Sequence, residues 1–241
     1  MCTAIVGYDP GARVPLLLAG VRDELVARAW RPPARHWPDH PGLVGGRDEL
    51  AGGTWLALDP AAPRVACVLN GVGTAAPESV RRSRGGLPLA LAETGTLDGD
   101  PHGFDPFHLI GAEPGSVRLW SWDGERLTGR KLEPGLHMVV NSGLAEAGSR
   151  GGDDYMSARV AHFRPLFEAA GHEREAWRHL LDGDGLDPSD DRALIVRRDL
   201  GDGRLWGTTS ISLTTFGPDG VSYDFTAEPG TPAAWQPVPT S

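Results

Sequence analysis

Residues 3–25 read TAIVGYDPGARVPLLLAGVRDEL, and the fold turns on how this stretch divides. Residues 3–8 form an apolar run of strand length, stopped by Asp9-Pro10-Gly11. Residues 14–19 form a second such run. The turn between them is short, so the pattern predicts an antiparallel hairpin at the start of the chain. Arg22 and Asp23 then emerge from the end of the second, buried strand. The same tetrapeptide, RDEL, returns at 47–50 between Gly45-Gly46 and Gly52-Gly53. Those flanks predict a flexible approach, with Arg47, Asp48 and Glu49 in a solvated loop.

Outward from the hairpin, residues 31–43 are rich in Pro and Trp and read as loop. TWLAL (54–58) and RVACVLN (64–70) read as strands joined by a turn at 60–63. Residues 77–94 turn helical, with Leu87, Ala90 and Leu91 at helical spacing. Strands are predicted at 107–112, 117–122 and 136–141. Residues 153–181 carry two helical patterns. The first has Met156, Val160, Phe163 and Phe167; the second has Trp177, Leu180 and Leu181; Ala170-Gly171 separates them. Closing strands are predicted at 193–197, 205–214 and 221–226. Strands, helix, strands, helices and strands in that order predict an α+β fold with helices packed on antiparallel sheets. One domain covers 1–228. The Pro-rich tail, 229–241, wraps the surface or frays.

A chain of 241 residues can bury a large core without a disulfide or metal staple. The net charge of −9 argues against a nucleic-acid partner, which needs clustered cations. Two cysteines, Cys2 and Cys67, are too few for a secreted disulfide framework, so a reducing cytoplasm is the natural compartment. No window approaches the 18 apolar residues of a membrane span, and the N-terminus lacks the pattern of a signal peptide. RDEL as a retention address would have to be terminal, and the chain ends PVPTS.

Position 2 is the first chemical candidate. Methionine removal before a small residue would leave Cys2 as the N-terminus. One residue then carries both a thiol nucleophile and a base, because an α-amine has a reference pKa of about 7.7 to 8.0. Position alone favours an inert small hydrophobe instead. Cys67, mid-strand among Val65, Ala66 and Val68, reads as a buried structural thiol. His36 and His40 flank Pro38, which argues against a helix that could bring them onto one metal. The Asp182-Gly-Asp-Gly run lacks the calcium-loop residues at its fifth, sixth and twelfth positions and reads as an acidic turn. Gly71-Val72-Gly73 is no nucleotide fingerprint. Trp55 either lines an apolar pocket beside Cys2 or packs in the core.

The stretches MCTAIV, AGVRDEL, AGGTWLAL and RVACVLNG occur in this order in the first 71 residues. SRGGLPLAL, DPFHLIGA, GLHMVVNSGL and WGTTSISLTTFGPDG follow. Together they resemble the NRDE family, which includes the transport and Golgi organisation protein 2 relatives and is similar to N-terminal-nucleophile cysteine hydrolases. The resemblance implies a four-layer αββα sandwich with the N-terminal residue in the cleft. It implies Cys2 as nucleophile, with Arg22 and Asp23 orienting the thiol and its amine. It also implies a hydrogen bond to the oxyanion from Asn141, while Asn70, at another strand end, could donate a second; turn formation is the commoner use of Asn there. Thr209 and, if it lines the pocket, Trp55 are the candidate substrate-binding residues.

The chain departs from the pattern twice. Val21 stands where the family signature begins with Asn. Thr209 stands where an Arg is expected, so an anionic head group loses a cation at that spot. The implied activity is hydrolysis of a small N-acyl amide with no cofactor required. The alternative is a non-catalytic protein that binds haem or acyl lipid in the same cleft for intracellular trafficking.

Overall fold

The computed structural model describes residues 2–145 and 154–241. Fifteen strands and three α-helices are described. The strands are β1 (Cys2–Tyr8), β2 (Leu16–Leu25), β3 (Trp30–Ala34), β4 (Val44–Asp48), β5 (Leu56–Asp59) and β6 (Arg64–Asn70). Then come β7 (Phe107–Glu113), β8 (Ser116–Trp122), β9 (Leu127–Leu132), β10 (Gly135–Val140) and β11 (Gly143–Ala145). The last are β12 (Arg197–Asp199), β13 (Leu205–Gly217), β14 (Gly220–Thr226) and β15 (Gln236–Pro237). The helices are α1 (Gly86–Thr94), α2 (Asp154–Ala170) and α3 (Arg174–Leu181).

The strands form two antiparallel sheets, so the fold is α+β as the pattern predicts. The first sheet runs β11-β10-β1-β2-β13-β14-β15, with β12 also on β13. The second runs β3-β4-β5-β6-β7-β8-β9. Strand alternation sorts the core into three clusters. Ala4, Val6, Leu16 and Leu18 of the first sheet meet Leu56, Val65, Cys67 and Ile110 of the second. Ile5, Leu17, Ala19 and Val21 face the other way, onto Phe163 and Phe167 of α2 and Trp177 of α3. Ala57, Ala66, Val68 and Leu109 face α1 through Leu87, Leu89 and Leu91. The layers are therefore helices, sheet, sheet, helix.

The hairpin at 3–25 forms as read; β2 pairs with β1 as far as Arg22 and continues through the rest of the first RDEL alongside β13. Other expectations need correction. Residues 31–43 are not all loop, because Trp30–Ala34 is the edge strand β3. An edge tolerates Pro32 and Pro33, whose missing N–H groups interrupt the ladder between Arg31 and Ala34. The approach to the second RDEL is not a flexible loop but β4, and its glycines serve close packing. A Cβ at Gly45 would lie 2.4 Å from the Leu56 carbonyl oxygen, and one at Gly46 2.4 Å from the Trp55 ring. The helix expected from residue 77 begins only at Gly86, after a single 3-10 turn at Glu78–Val80. The strand expected at 193–197 lies instead at Arg197–Asp199. The exposed, mostly polar β9 carries no alternating apolar signal and was not foreseen.

The helical patterns over 153–181 appear as α2 and α3, broken at Gly171 in the left-handed region (φ 56°); residue 153 lies outside the described residues. In the 229–241 segment, β15 pairs with β14, and Trp235 is buried with its indole N–H on Asp182 at 2.8 Å.

Gly53 and Gly85 bring two backbones together where the β5 approach meets α1. A Cβ on Gly53 would sit 2.4 Å from the Gly85 carbonyl carbon. Gly53→Ala should cost about 1–3 kcal/mol, the range for overpacking, read as a lower urea midpoint at unchanged m-value. Gly42→Ala meets nothing within 4 Å and should leave the midpoint unchanged or higher. Equal midpoints for the two variants would contradict the packing role.

Candidate active site

The β1–β2 ladder pairs Cys2 with Arg22 at its end. The β1–β10 ladder runs from Tyr8–Gly135 to Ala4–Val139. β10 ends at Val140, so Asn141 lies on the turn two residues beyond the last pair of that ladder. Met1 and the Cys2 side chain, on which the nucleophile expectation rests, lie outside the described residues.

Arg22 shares its parity on β2 with Leu16 and Leu18 and enters the space between the sheets. It is only 4% exposed. Its guanidinium lies over the Trp55 ring, 4.5 Å from the centroid, and Nη1 donates to Thr209 Oγ1 at 2.7 Å. Nη2 is 3.6 Å from Asp48 Oδ2. Thr209 is the extra residue of a bulge, because β13 pairs Thr208 with Asp23 but Ser210 with Arg22. Its hydroxyl also donates back to the Arg22 carbonyl at 3.2 Å. The residue expected to contact substrate thus holds Arg22 in place.

Asp48 belongs to the second RDEL, so the two copies meet. Its carboxylate accepts two hydrogen bonds from Arg28, at 2.6 and 3.1 Å, and one from the Ala51 amide at 2.8 Å. Burial alone would raise this carboxyl. The Arg28 and Ala51 hydrogen bonds outweigh it and hold Asp48 below the usual carboxylate range. An anion therefore stands beside Arg22 at neutral pH.

Asp23 points the opposite way, under α2. It accepts from Thr208 Oγ1 at 2.7 Å and from Arg159 Nη1 at 3.2 Å. Arg159 also donates to Thr3 Oγ1 at 2.8 Å and to the Ala193 carbonyl at 2.9 Å, and both charged side chains are fully buried. Burial pushes the Asp23 carboxyl up, against the pull of Arg159 and Thr208. Val21, where the signature has Asn, lies in the apolar cluster with Phe163 and Phe167 and takes no part in this network.

Asn70 ends β6, is exposed, and lines a cleft of about 590 Å³ with Arg22, Asp23 and Trp55. Asn141 lies half-buried on the turn after β10. Its carbonyl accepts from His108 Nε2 at 3.1 Å, and Ser121 Oγ lies 2.8 Å from His108 Nδ1. A carbonyl only accepts, so neutral His108 carries its proton on Nε2 and receives the Ser121 hydroxyl at Nδ1. His108, on β7, thereby ties the second sheet to the Asn141 turn of the first. Burial pushes its pKa below 6.5.

Neither Arg159 nor His108 stood out as a site residue in the sequence. Arg159 is 136 positions from Asp23, and only a polar residue on the apolar face of α2 marks it. His108 sits in the quoted DPFHLIGA stretch among apolar neighbours. Among the described residues, no three His, Cys, Asp or Glu side chains gather as a metal would require.

The family model described as Transport and Golgi organisation 2 matches residues 1–181. No curated protein matches the chain.

Arg159→Met strands a buried carboxylate and should cost about 3–5 kcal/mol by urea denaturation. Adding Asp23→Leu should recover most of that loss; strictly additive costs would show that the two side chains are not coupled. The depressed His108 pKa also has a signed consequence. The unfolded chain binds a proton near pH 6.5 that the folded chain refuses. The contribution is complete above about pH 6.5 and is lost as pH falls through the lower folded value. Between pH 7.5 and 5.5 the wild type should therefore lose more stability than His108→Gln. Parallel curves would contradict a neutral, buried His108.

Proposed function

The chain belongs to the Transport and Golgi organisation 2 family, and on that premise we propose that it is an N-terminal cysteine hydrolase of small N-acyl amides. The observation that carries this reading is the Cys2–Arg22 pairing at the end of β1. It supports the reading because Cys2 stands opposite Arg22, whose guanidinium meets Trp55, Thr209 and Asp48. The helix–sheet–sheet–helix layering supports an αββα sandwich of the N-terminal-nucleophile hydrolase type.

Removal of Met1 frees the α-amine of Cys2. Asp23 follows Arg22 on β2, and in this reading it orients that amine. The amine takes the thiol proton and Arg22 favours the thiolate. Cys2 Sγ attacks the amide carbonyl carbon. Asn141 and Asn70 donate to the oxyanion, each worth about 2.7–4 kcal/mol where geometry is right. The ammonium returns the proton to the leaving nitrogen as the C–N bond breaks and a thioester remains. Water adds to the thioester carbon, the carboxylic acid leaves, and the thiol is restored. Thr209 acts through Arg22, while Trp55 forms one wall of the cleft.

Intact mass of the purified protein should show loss of Met1. An acylating activity probe should label wild type and Cys67→Ala but not Cys2→Ala. A retained Met1, or labelling that persists in Cys2→Ala, would sink the hydrolase. Tight haem or acyl-lipid binding with no acyl-enzyme would favour the carrier instead.

A further inference from the structure

Asn141 and Ser142 form the turn between β10 and β11, which closes on the Val140–Gly143 pair. The β1–β10 ladder ends at Ala4–Val139, so Cys2 and Asn141 each lie two residues beyond it, at the same end. Two-residue hairpin turns that match the strand twist take a positive φ inside the turn. Among the described residues other than glycine, only Asp184 and Asp202 have one, so Asn141 and Ser142 do not. The left-handed step falls on Gly143 instead, at φ 112°. The turn's own backbone therefore does less to fix its direction, and a contact from the second sheet takes over.

That contact is His108. Its Nε2–H donates to the Asn141 carbonyl at 3.1 Å. Ser121, its ladder partner on β8, donates its hydroxyl to Nδ1 at 2.8 Å. A Cβ on Gly143 would lie 3.5 Å from His108 Cε1, so the ring borders the turn on both sides. Packing alone does not call for a histidine here. The flanking Phe107 and Leu109 and the β6 partner Leu69 are apolar and buried. A leucine would fill the space, but only a side chain with a donor reaches the Asn141 carbonyl. Only an acceptor on its other side lets Ser121 decide which nitrogen carries the proton. Both ring nitrogens are thereby satisfied, as a buried polar group requires.

We propose that the Ser121–His108 pair positions the Asn141 amide, by holding its turn at the Cys2 end of β1. His108 is a positioning residue: it acts through Asn141, which in the proposed reaction donates to the oxyanion. The oxyanion part of this assignment rests on the hydrolase reading; the hold on the turn does not.

The test uses the full chain and two readouts. The first is independent of turnover. The side-chain amide signals of Asn141, identified by their loss in Asn141→Ala, are followed by nitrogen–proton correlation NMR. His108→Leu and His108→Gln both remove the ring, but only Gln keeps a donor for the Asn141 carbonyl. The signals should lie near their wild-type positions in His108→Gln and should move or broaden in His108→Leu. The second readout is hydrolysis of octanoyl para-nitroanilide. His108→Leu should lower kcat about tenfold, part of what one oxyanion donor supplies, with KM within about twofold. His108→Gln should keep most of the rate. In an Asn141→Ala background His108→Leu should cost nothing further, whereas a merely structural role costs the same in both backgrounds. If His108→Leu does not fold, Ser121→Ala takes its place and should shift the signals and lower kcat by less. Coincident Asn141 signals in the Leu and Gln variants, equal costs in both backgrounds, or full activity in Asn141→Ala would overturn the proposal. A wild type that hydrolyses nothing, with the Leu–Gln difference intact, removes the hydrolase and leaves the hold on the turn standing; hydrolysis without that difference does the reverse.

Discussion

Arg22 and Asp23 are neighbours on one strand, so the pleat must send their side chains to opposite faces of the sheet. That constraint organises the molecule around β2. Arg22 enters the gap between the sheets and meets Trp55 and Asp48 of the second sheet. Asp23 enters the helix-covered face and meets Arg159 of α2, which also reaches Thr3 of β1. Two consecutive residues thus tie together three of the four layers, next to the end of β1 where Cys2 begins the strand.

Net stability is a poor reason for these charges. A fully buried ion pair barely offsets its own desolvation, and apolar replacements are often as stable. Its consequence is geometric: one Arg159 side chain ties α2 to Asp23, Thr3 and the Ala193 carbonyl together. Arg22 is held differently. A stacked guanidinium over a desolvated indole gains about 1–2 kcal/mol, and the short Thr209 bond fixes its rotation. Asp48 at 3.6 Å compensates part of the charge without a close bond. The result is a cation fixed in position between the sheets.

The sequence was legible where apolar alternation is strong. β1, β2, β6, β7, β8, β10, β13 and β14, and the break between α2 and α3, lie within a few residues of their predicted places. It was illegible where the signal sits in another element. Gly45-Gly46 reads as flexible in sequence, yet those glycines exist so that Leu56 and Trp55 can approach. With β4 unseen, the second RDEL looked solvated, and its Asp48 could not be linked to Arg22. Pro32 and Pro33 hid an edge strand. Val21 reads in sequence as a lost polar contact, yet its side chain lies in the apolar cluster with Phe163 and Phe167, and Arg159 on α2 holds Asp23. Pairings across 136 or 187 residues leave no local trace.

The proposed hydrolase needs Arg22, fixed between the sheets, to favour the thiolate at Cys2. The most direct measurement is the pH dependence of Cys2 alkylation, followed by peptide mass spectrometry in wild type and Arg22→Gln. The expected result is a Cys2 thiol pKa below the ordinary value of about 8.5 in wild type and a clear rise in Arg22→Gln. A Cys2 that titrates like an ordinary thiol, with the same midpoint in both proteins, would contradict it.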